Sequence, residues 1–150
     1  MKVSTQTRYA IRMLLELSLF DNGIGRMTAQ QIASNQGISE KYLESIATKL
    51  QKGGFLISSK GFGGGYKMAI PTEEISLGAI MRLMETNFFS SHCVKNPEEN
   101  CVNYADCVYF DMFCEVERTL EEKVNSISIA DIRERYLRRS ENGSKKINVI

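Results

Sequence analysis

Proline is nearly missing from this chain, with two residues in 150 and no low-complexity tract, so no long flexible linker is expected. Long hydrophobic runs are missing too. The longest, Met13 to Leu19, is broken by Glu16, and nothing approaches the roughly 20 apolar residues of a membrane span. Arg8, Arg12 and Glu16 deny the N-terminus the uncharged core of a secretory signal. Histidine occurs once, at position 92, and cysteine is absent from residues 1–92 and 115–150. These absences exclude a membrane protein and leave the cytoplasm as the expected location. What remains is an ordinary globular composition, 43% apolar and 25% charged, with room for one domain and a helical arm.

Net charge is also nearly absent, at +1, but the sum conceals an asymmetry. Residues 1–70 hold nine Lys/Arg against four acids, and residues 71–150 hold ten against fourteen. A basic half joined to an acidic half fits a chain in which only the first half meets an anionic polymer.

That first half carries three helical signatures. In Ser4 to Phe20, Tyr9, Met13, Leu17 and Phe20 recur at helical spacing, with Ala10, Leu14 and Leu15 widening the apolar face. Asp21-Asn22-Gly23 supplies turn residues. Thr28 with Gln31 forms a capping-box pattern, and Met27 with Ile32 a hydrophobic staple. After Gly37, Ser39 caps a third segment whose apolar positions are Tyr42, Leu43, Ile46, Ala47 and Leu50. Two short helices across a glycine-containing turn form a helix-turn-helix pattern. In that geometry the second helix aims its N-terminal residues at base edges. Lys41 would meet guanine or phosphate, and Glu44 would accept from cytosine N4. A plain helical hairpin with a solvated polar face would read the same over this stretch alone.

The next segment separates the two readings. Phe55 to Ser59 is β-prone, Lys60-Gly61-Phe62-Gly63-Gly64-Gly65 is a glycine-rich tip, and Tyr66 to Ile70 is β-prone again. A nucleotide-cradling loop is excluded because no G-x-x-x-x-G-K-[ST] pattern is present. The hairpin is therefore expected to be a wing beside the helix-turn-helix. The candidate DNA-contacting set is Thr28, Ser39, Lys41, Tyr42, Glu44, Ser45 and Lys49, with Lys60, Phe62, Gly63, Gly64 and Tyr66 on the hairpin.

The cysteines stand at 93, 101, 107 and 114, spaced C-x7-C-x5-C-x6-C. Clustering of this kind in the cytosol favours metal or redox chemistry over structural disulfides. Zinc sites use closer pairs, whereas iron–sulfur clusters tolerate wider spacing on loops. A thiol redox switch without a cluster is the other reading. Residues 88–107 lack helical periodicity and are expected to form a loop. Val108, Met112, Val116, Leu120 and Val124 then repeat at four, a stripe long enough to call for an identical partner helix. Ser128 with Asp131 caps a last helix to Arg139, and the polar tail 140–150 is expected to be disordered.

The residues Val3-Ser4-Thr5 through Arg8-Tyr9-Ala10, Gly37-Ile38-Ser39 through Tyr42-Leu43-Glu44, and the wing with Met68-Ala69 resemble the Rrf-type (Rrf-two) family of winged helix-turn-helix regulators, which includes IscR, NsrR and RirA. The cysteine cluster adds to the likeness, which runs from Lys2 to about Arg139. The resemblance implies a mainly α fold with a small β-hairpin: a DNA-binding winged helix-turn-helix over 1–72, a helical dimerisation and cluster-binding region over 73–139, and a non-enzymatic homodimer on a pseudo-palindromic double-stranded operator. It also implies that Cys93, Cys101 and Cys107 hold an iron–sulfur cluster, either 4Fe–4S or 2Fe–2S, with spacing more like the RirA type than the IscR type. The histidine that IscR-like proteins carry after the third cysteine is Phe110 here, and the acidic ligand of NsrR-like proteins is Arg8. Cys114, His92 and Asp111 are the candidates for a fourth ligand. Binding or loss of the cluster would then change operator affinity by moving the reading heads. An iron–sulfur electron carrier or enzyme, and a protein–protein adaptor, are the rivals from other classes.

Overall fold

A computed structural model describes residues 3–20, 24–85, 97–101 and 103–141. Helix α1 spans Thr5–Leu19 and starts at Ser4, whose hydroxyl accepts from the Thr7 amide at 3.2 Å. Its buried line is Ala10, Met13, Leu14 and Leu17. The expected apolar face is rotated slightly from this line, and Phe20 leaves it. The chain turns extended at Phe20 and the ring is exposed, because the helix ends one residue earlier.

Helix α2 (Ala29–Gln36) shows the reciprocal capping box: the Gln31 amide donates to the Thr28 hydroxyl and the Thr28 amide to the Gln31 side chain. Gly37 ends it in the left-handed conformation (φ 65°), and the Ile38 amide reaches back to the Ala33 carbonyl. Helix α3 (Glu40–Lys52) follows at once from its Ser39 cap. Leu43, Ile46, Ala47 and Leu50 are fully buried. Burying an aliphatic side chain of this size stabilises the fold by roughly 1.5–3 kcal/mol, so this face fixes which side of α3 looks outward.

Strands β1 (Leu56–Ser59) and β2 (Gly65–Met68) pair antiparallel, from Leu56 opposite Met68 to Ser59 opposite Gly65. A 3₁₀ turn at Thr72–Glu74 leads to α4 (Leu77–Met84), capped by Ser76. Within the expected loop over 88–107, Pro97–Asn100 forms one helical turn and Tyr104–Asp106 a 3₁₀ turn. Helix α5 runs from Phe110 to Asn125, and α6 from Ile129 to Glu141, two residues into the tail expected to be disordered. Ser128 and Asp131 cap α6 reciprocally.

One core joins these elements: Ile75, Ile80, Met84 and Ile129 belong to the same buried cluster as the faces of α1, α2 and α3. The Leu77 amide donates to the Ile127 carbonyl and the Ile129 amide to the Ile75 carbonyl, tying the starts of α4 and α6 together. The architecture is mainly α with a two-stranded hairpin, as the sequence leads one to expect. No helix among the described residues is long and apolar enough to cross a membrane.

Candidate nucleic-acid interface and cysteine segment

Because Leu43, Ile46, Ala47 and Leu50 fill the core, α3 presents Glu40, Lys41, Glu44, Ser45 and Thr48 outward. Some hydroxyls of the candidate set are already engaged by the fold. Ser39 accepts from the Tyr42 amide, Ser45 donates to the Tyr42 carbonyl at 2.7 Å, and Thr28 accepts from the Gln31 amide. Tyr42 is half-buried, with its ring edge-on to Tyr9 at 6.0 Å. Lys49 is half-buried, and its Nζ donates to Gln6 Oε1 at 2.8 Å, which draws it toward α1. Lys41 and Lys60 are exposed and make no ion pair among the described residues.

The hairpin is fixed to the helix-turn-helix by its backbone. The Tyr66 amide donates to the Met27 carbonyl at 2.8 Å, and the Met27 amide to the Tyr66 carbonyl at 3.1 Å. Gly65 permits this approach: its φ is +139°, and a Cβ there would lie 2.5 Å from the Met27 carbonyl oxygen. Gln51 adds a side-chain bond to Ser58 at 2.9 Å. Burial pushes the Tyr66 phenol up from its ordinary value, and Glu44 and Glu40 push it further, so the strand lies beside the acidic side of α3. At the tip, Phe62 is fully exposed. The Gly64 amide is spent on the Gly61 carbonyl at 2.9 Å, closing the turn. The hairpin is thus held by backbone hydrogen bonds to the segment just before α2, with Lys41 exposed on α3, Lys60 exposed at the base of the tip and Phe62 exposed within it.

Cys101, Cys107 and Cys114 are half-buried free thiols. Cys101 follows the Pro97–Asn100 turn, and the Tyr104 amide donates to its carbonyl at 3.4 Å. Cys107 closes the 3₁₀ turn through its amide to the Tyr104 carbonyl at 3.2 Å. Tyr104 packs edge-on to Phe110 at 5.9 Å, placing aromatic rings on both flanks of Cys107 in the chain. Partly shielded thiols on short turns suit iron–sulfur ligation. Asp111 is exposed in the first turn of α5, and Cys114 lies further along the same helix. Among the described residues, no three His, Cys, Asp or Glu gather closely enough to hold a metal. Cys93 and His92 lie outside the described residues.

One contact that the sequence does not announce ties this region to the start of α1. Glu85 ends α4, directly before residues 86–96, and its Oε1 accepts from the Ser4 amide at 2.8 Å and from the Thr7 hydroxyl. Partial desolvation pushes the Glu85 carboxyl up, but the bonds from Ser4 and Thr7, helped by Lys49, hold it below the usual range. Arg26 is a second residue sequence reasoning missed. It is half-buried just before Met27, and its Nη1 is buried without a hydrogen-bond partner among the described residues.

Along α5 the apolar stripe divides. Val124 is buried beside Gly78 of α4, whereas Met112, Phe113 and Val116, with Val108 just ahead of the helix, are exposed.

Residues 3–135 match the model of the Rrf2 family, described as an iron-dependent transcriptional regulator. Protein rrf2 of Nitratidesulfovibrio vulgaris is 33% identical over 134 residues, covering 88% of this chain and 87% of that protein. Among solved structures, T. potens IscR superposes with a TM-score of 0.69 at 28% identity, covering 97% of this chain and 93% of its own. CymR, the global cysteine regulator of B. subtilis, superposes with a TM-score of 0.71 at 23% identity over 89% of this chain and 97% of its own, a likeness of fold.

Proposed function

Since the chain belongs to the Rrf2 family of transcriptional regulators, we propose that it is a cytoplasmic, homodimeric regulator that couples the state of Cys93, Cys101 and Cys107 to operator affinity. Family membership sets it among regulators rather than enzymes. The single observation that carries the reading is the backbone clamp between Met27 and Tyr66, which holds the hairpin against the start of the helix-turn-helix while Lys41, Lys60 and Phe62 stay exposed.

Residues 1–72 read DNA and residues 73–139 dimerise and sense. Lys41 and Glu44 face base edges in the major groove, and Lys60 and the glycine tip lie over the neighbouring backbone or minor groove. The exposed row Met112, Phe113 and Val116 packs on its two-fold copy, which spaces two heads for a pseudo-palindromic operator. Cys93, Cys101 and Cys107 hold an iron–sulfur cluster as thiolates, and Cys114, His92 or Asp111 completes the set. Bound there, a cluster supplies a centre that iron supply, nitric oxide or oxidation can alter. The protein's part is mechanical: Glu85 ties the start of the cysteine segment to Ser4 and Thr7 of α1, and Gln6 beside them bonds Lys49 of α3.

Operator affinity must then differ between the loaded and unloaded protein, by linkage. Anaerobic purification with absorbance spectra, followed by gel-shift titration of both forms, tests this. Equal affinities refute the coupling. The half-buried, unpaired state of Cys101, Cys107 and Cys114 also supports a thiol redox switch without a cluster. A colourless protein whose DNA affinity still changes on oxidation identifies that variant.

A further inference from the structure

The tip of the hairpin carries a single side chain. Gly61, Gly63, Gly64 and Gly65 are bare backbone, and Phe62 among them is fully exposed, its ring burying essentially nothing against the chain. One exposed ring needs no explanation by itself; its setting does. The Gly64 amide closes the turn on the Gly61 carbonyl, which puts Phe62 at the second position. Gly63 supplies the positive φ of the third (+74°), and a Cβ on Gly64 would lie 2.5 Å from the Ser59 carbonyl oxygen. The glycines therefore fix a slender turn that holds one aromatic ring out to solvent.

Charge and thickness say what that ring meets. The segment from Phe55 to Ile70 holds Lys60 and Lys67 and no acid, so its partner carries negative charge. Apart from Phe62 the tip is only one backbone turn thick, which suits the minor groove of B-DNA, roughly 6 Å wide. Apolar side chains that enter this groove act as wedges: they part adjacent base pairs and kink the duplex toward the major groove. Building on the reading of the chain as a winged regulator, we propose that Phe62 inserts between two base pairs from the minor groove and bends the operator. Lys60, exposed at the base of the tip, meets the flanking phosphates. Pyrimidine–purine steps unstack at least cost, so Phe62 selects such a step without a hydrogen bond to any base. This role is separate from the cysteines and stands whether or not they hold iron.

The test uses the full chain and a duplex of roughly 30 base pairs that the protein itself selects from a random-sequence pool. A fluorophore pair at the duplex ends reads bending, and a fluorescent purine analogue placed at successive positions reads unstacking. Wild type bends the duplex by about 20° or more, and the analogue brightens at one step per half-site. Phe62→Leu, which supplies another wedge, keeps most of the bend. Phe62→Ser binds roughly five- to a hundredfold more weakly and leaves the duplex straight. Because the ring packs on nothing in the chain, neither substitution removes a contact that the fold uses. A duplex that wild type binds without bending, or that Phe62→Ser bends equally, overturns the wedge while the winged reading stands; Phe62 then serves a sugar, a phosphate or a protein partner. If the protein selects no duplex from the pool, both fall.

Discussion

The buried hydroxyl of Thr7 donates to the carboxylate of Glu85, across 78 residues of chain. The bond joins the first turn of α1 to the last residue before the segment that carries Cys93. Removing the donor of this part-buried, charge-assisted bond forfeits it, with the Ser4 amide left as the carboxylate's partner. Thr7→Val, which keeps the shape and deletes the donor, should lower stability by about 1–3 kcal/mol in urea denaturation. If Thr7→Val and wild type unfold at the same urea concentration, the bond contributes nothing to the fold.

The same carboxylate sets an acid dependence. Its folded value lies below the ordinary one, so it adds stability above the unfolded value, and that stability is lost as pH falls through the folded value. Glu85→Gln should therefore melt lower than wild type at neutral pH and converge with it on acidification through and below the ordinary carboxylate range. Melting curves that stay parallel across that range count against the depressed carboxyl.

How far the sequence shows this arrangement depends on the range of the forces. The caps at Thr28, Ser39, Ser76 and Ser128 and the stop at Gly37 act within four residues, so the limits of α2, α3, α4 and the start of α6 are legible in the chain. The contacts of Glu85 with Thr7, Lys49 with Gln6 and Tyr42 with Tyr9 join distant segments, and no local pattern encodes them. Lys49 shows the cost: helical position places it with the DNA-facing set, whereas a partner 43 residues earlier draws it toward α1. The rotation of the α1 face has the same origin, since packing against α3, α4 and α6 decides it.

Gly65 tests the wing's attachment. A side chain there must adopt φ +139° and displace the Met27 carbonyl. Gly65→Ala should cost about 1–3 kcal/mol from backbone strain and, because its Cβ also strikes the Met27 carbonyl, weaken operator binding beyond that of Gly63→Ala, which carries similar positive-φ strain (φ +74°) but whose Cβ meets nothing within 4 Å. Urea denaturation and gel shifts on both variants measure the difference. Equal losses would mean that the Met27 clamp does not govern DNA binding.

Lys41 and Lys60 make no ion pair among the described residues, so a phosphate is their expected partner. Each phosphate contact releases counterions, which makes the logarithm of the binding constant fall by about 0.9 per contact against the logarithm of salt. Lys60→Ala should reduce that slope by about 1 and weaken binding evenly across sequences. Lys41→Ala should additionally relax base preference, if it reads guanine from the recognition helix. Fluorescence anisotropy over a salt series separates the two. An unchanged slope in both variants removes these lysines from the interface.

The exposed part of α5 gives the most discriminating test of assembly. Val116 is 58% exposed, while Val124 on the same helix is buried within the chain. A charge at Val116 therefore enters water in the monomer, and only a partner helix makes it costly. Burial of one valine is worth roughly 1.5–3 kcal/mol, and a two-fold axis counts it twice. Val116→Glu should accordingly weaken dimerisation by roughly a hundredfold or more while its far-ultraviolet circular dichroism stays that of wild type. Val124→Glu, by contrast, should destabilise the chain itself, because its charge would enter the contact with α4. Analytical ultracentrifugation reads the first effect and urea denaturation the second. A Val116→Glu protein that still sediments as a dimer would show that α5 is not the seam, and the spacing of the two reading heads would have to be set elsewhere.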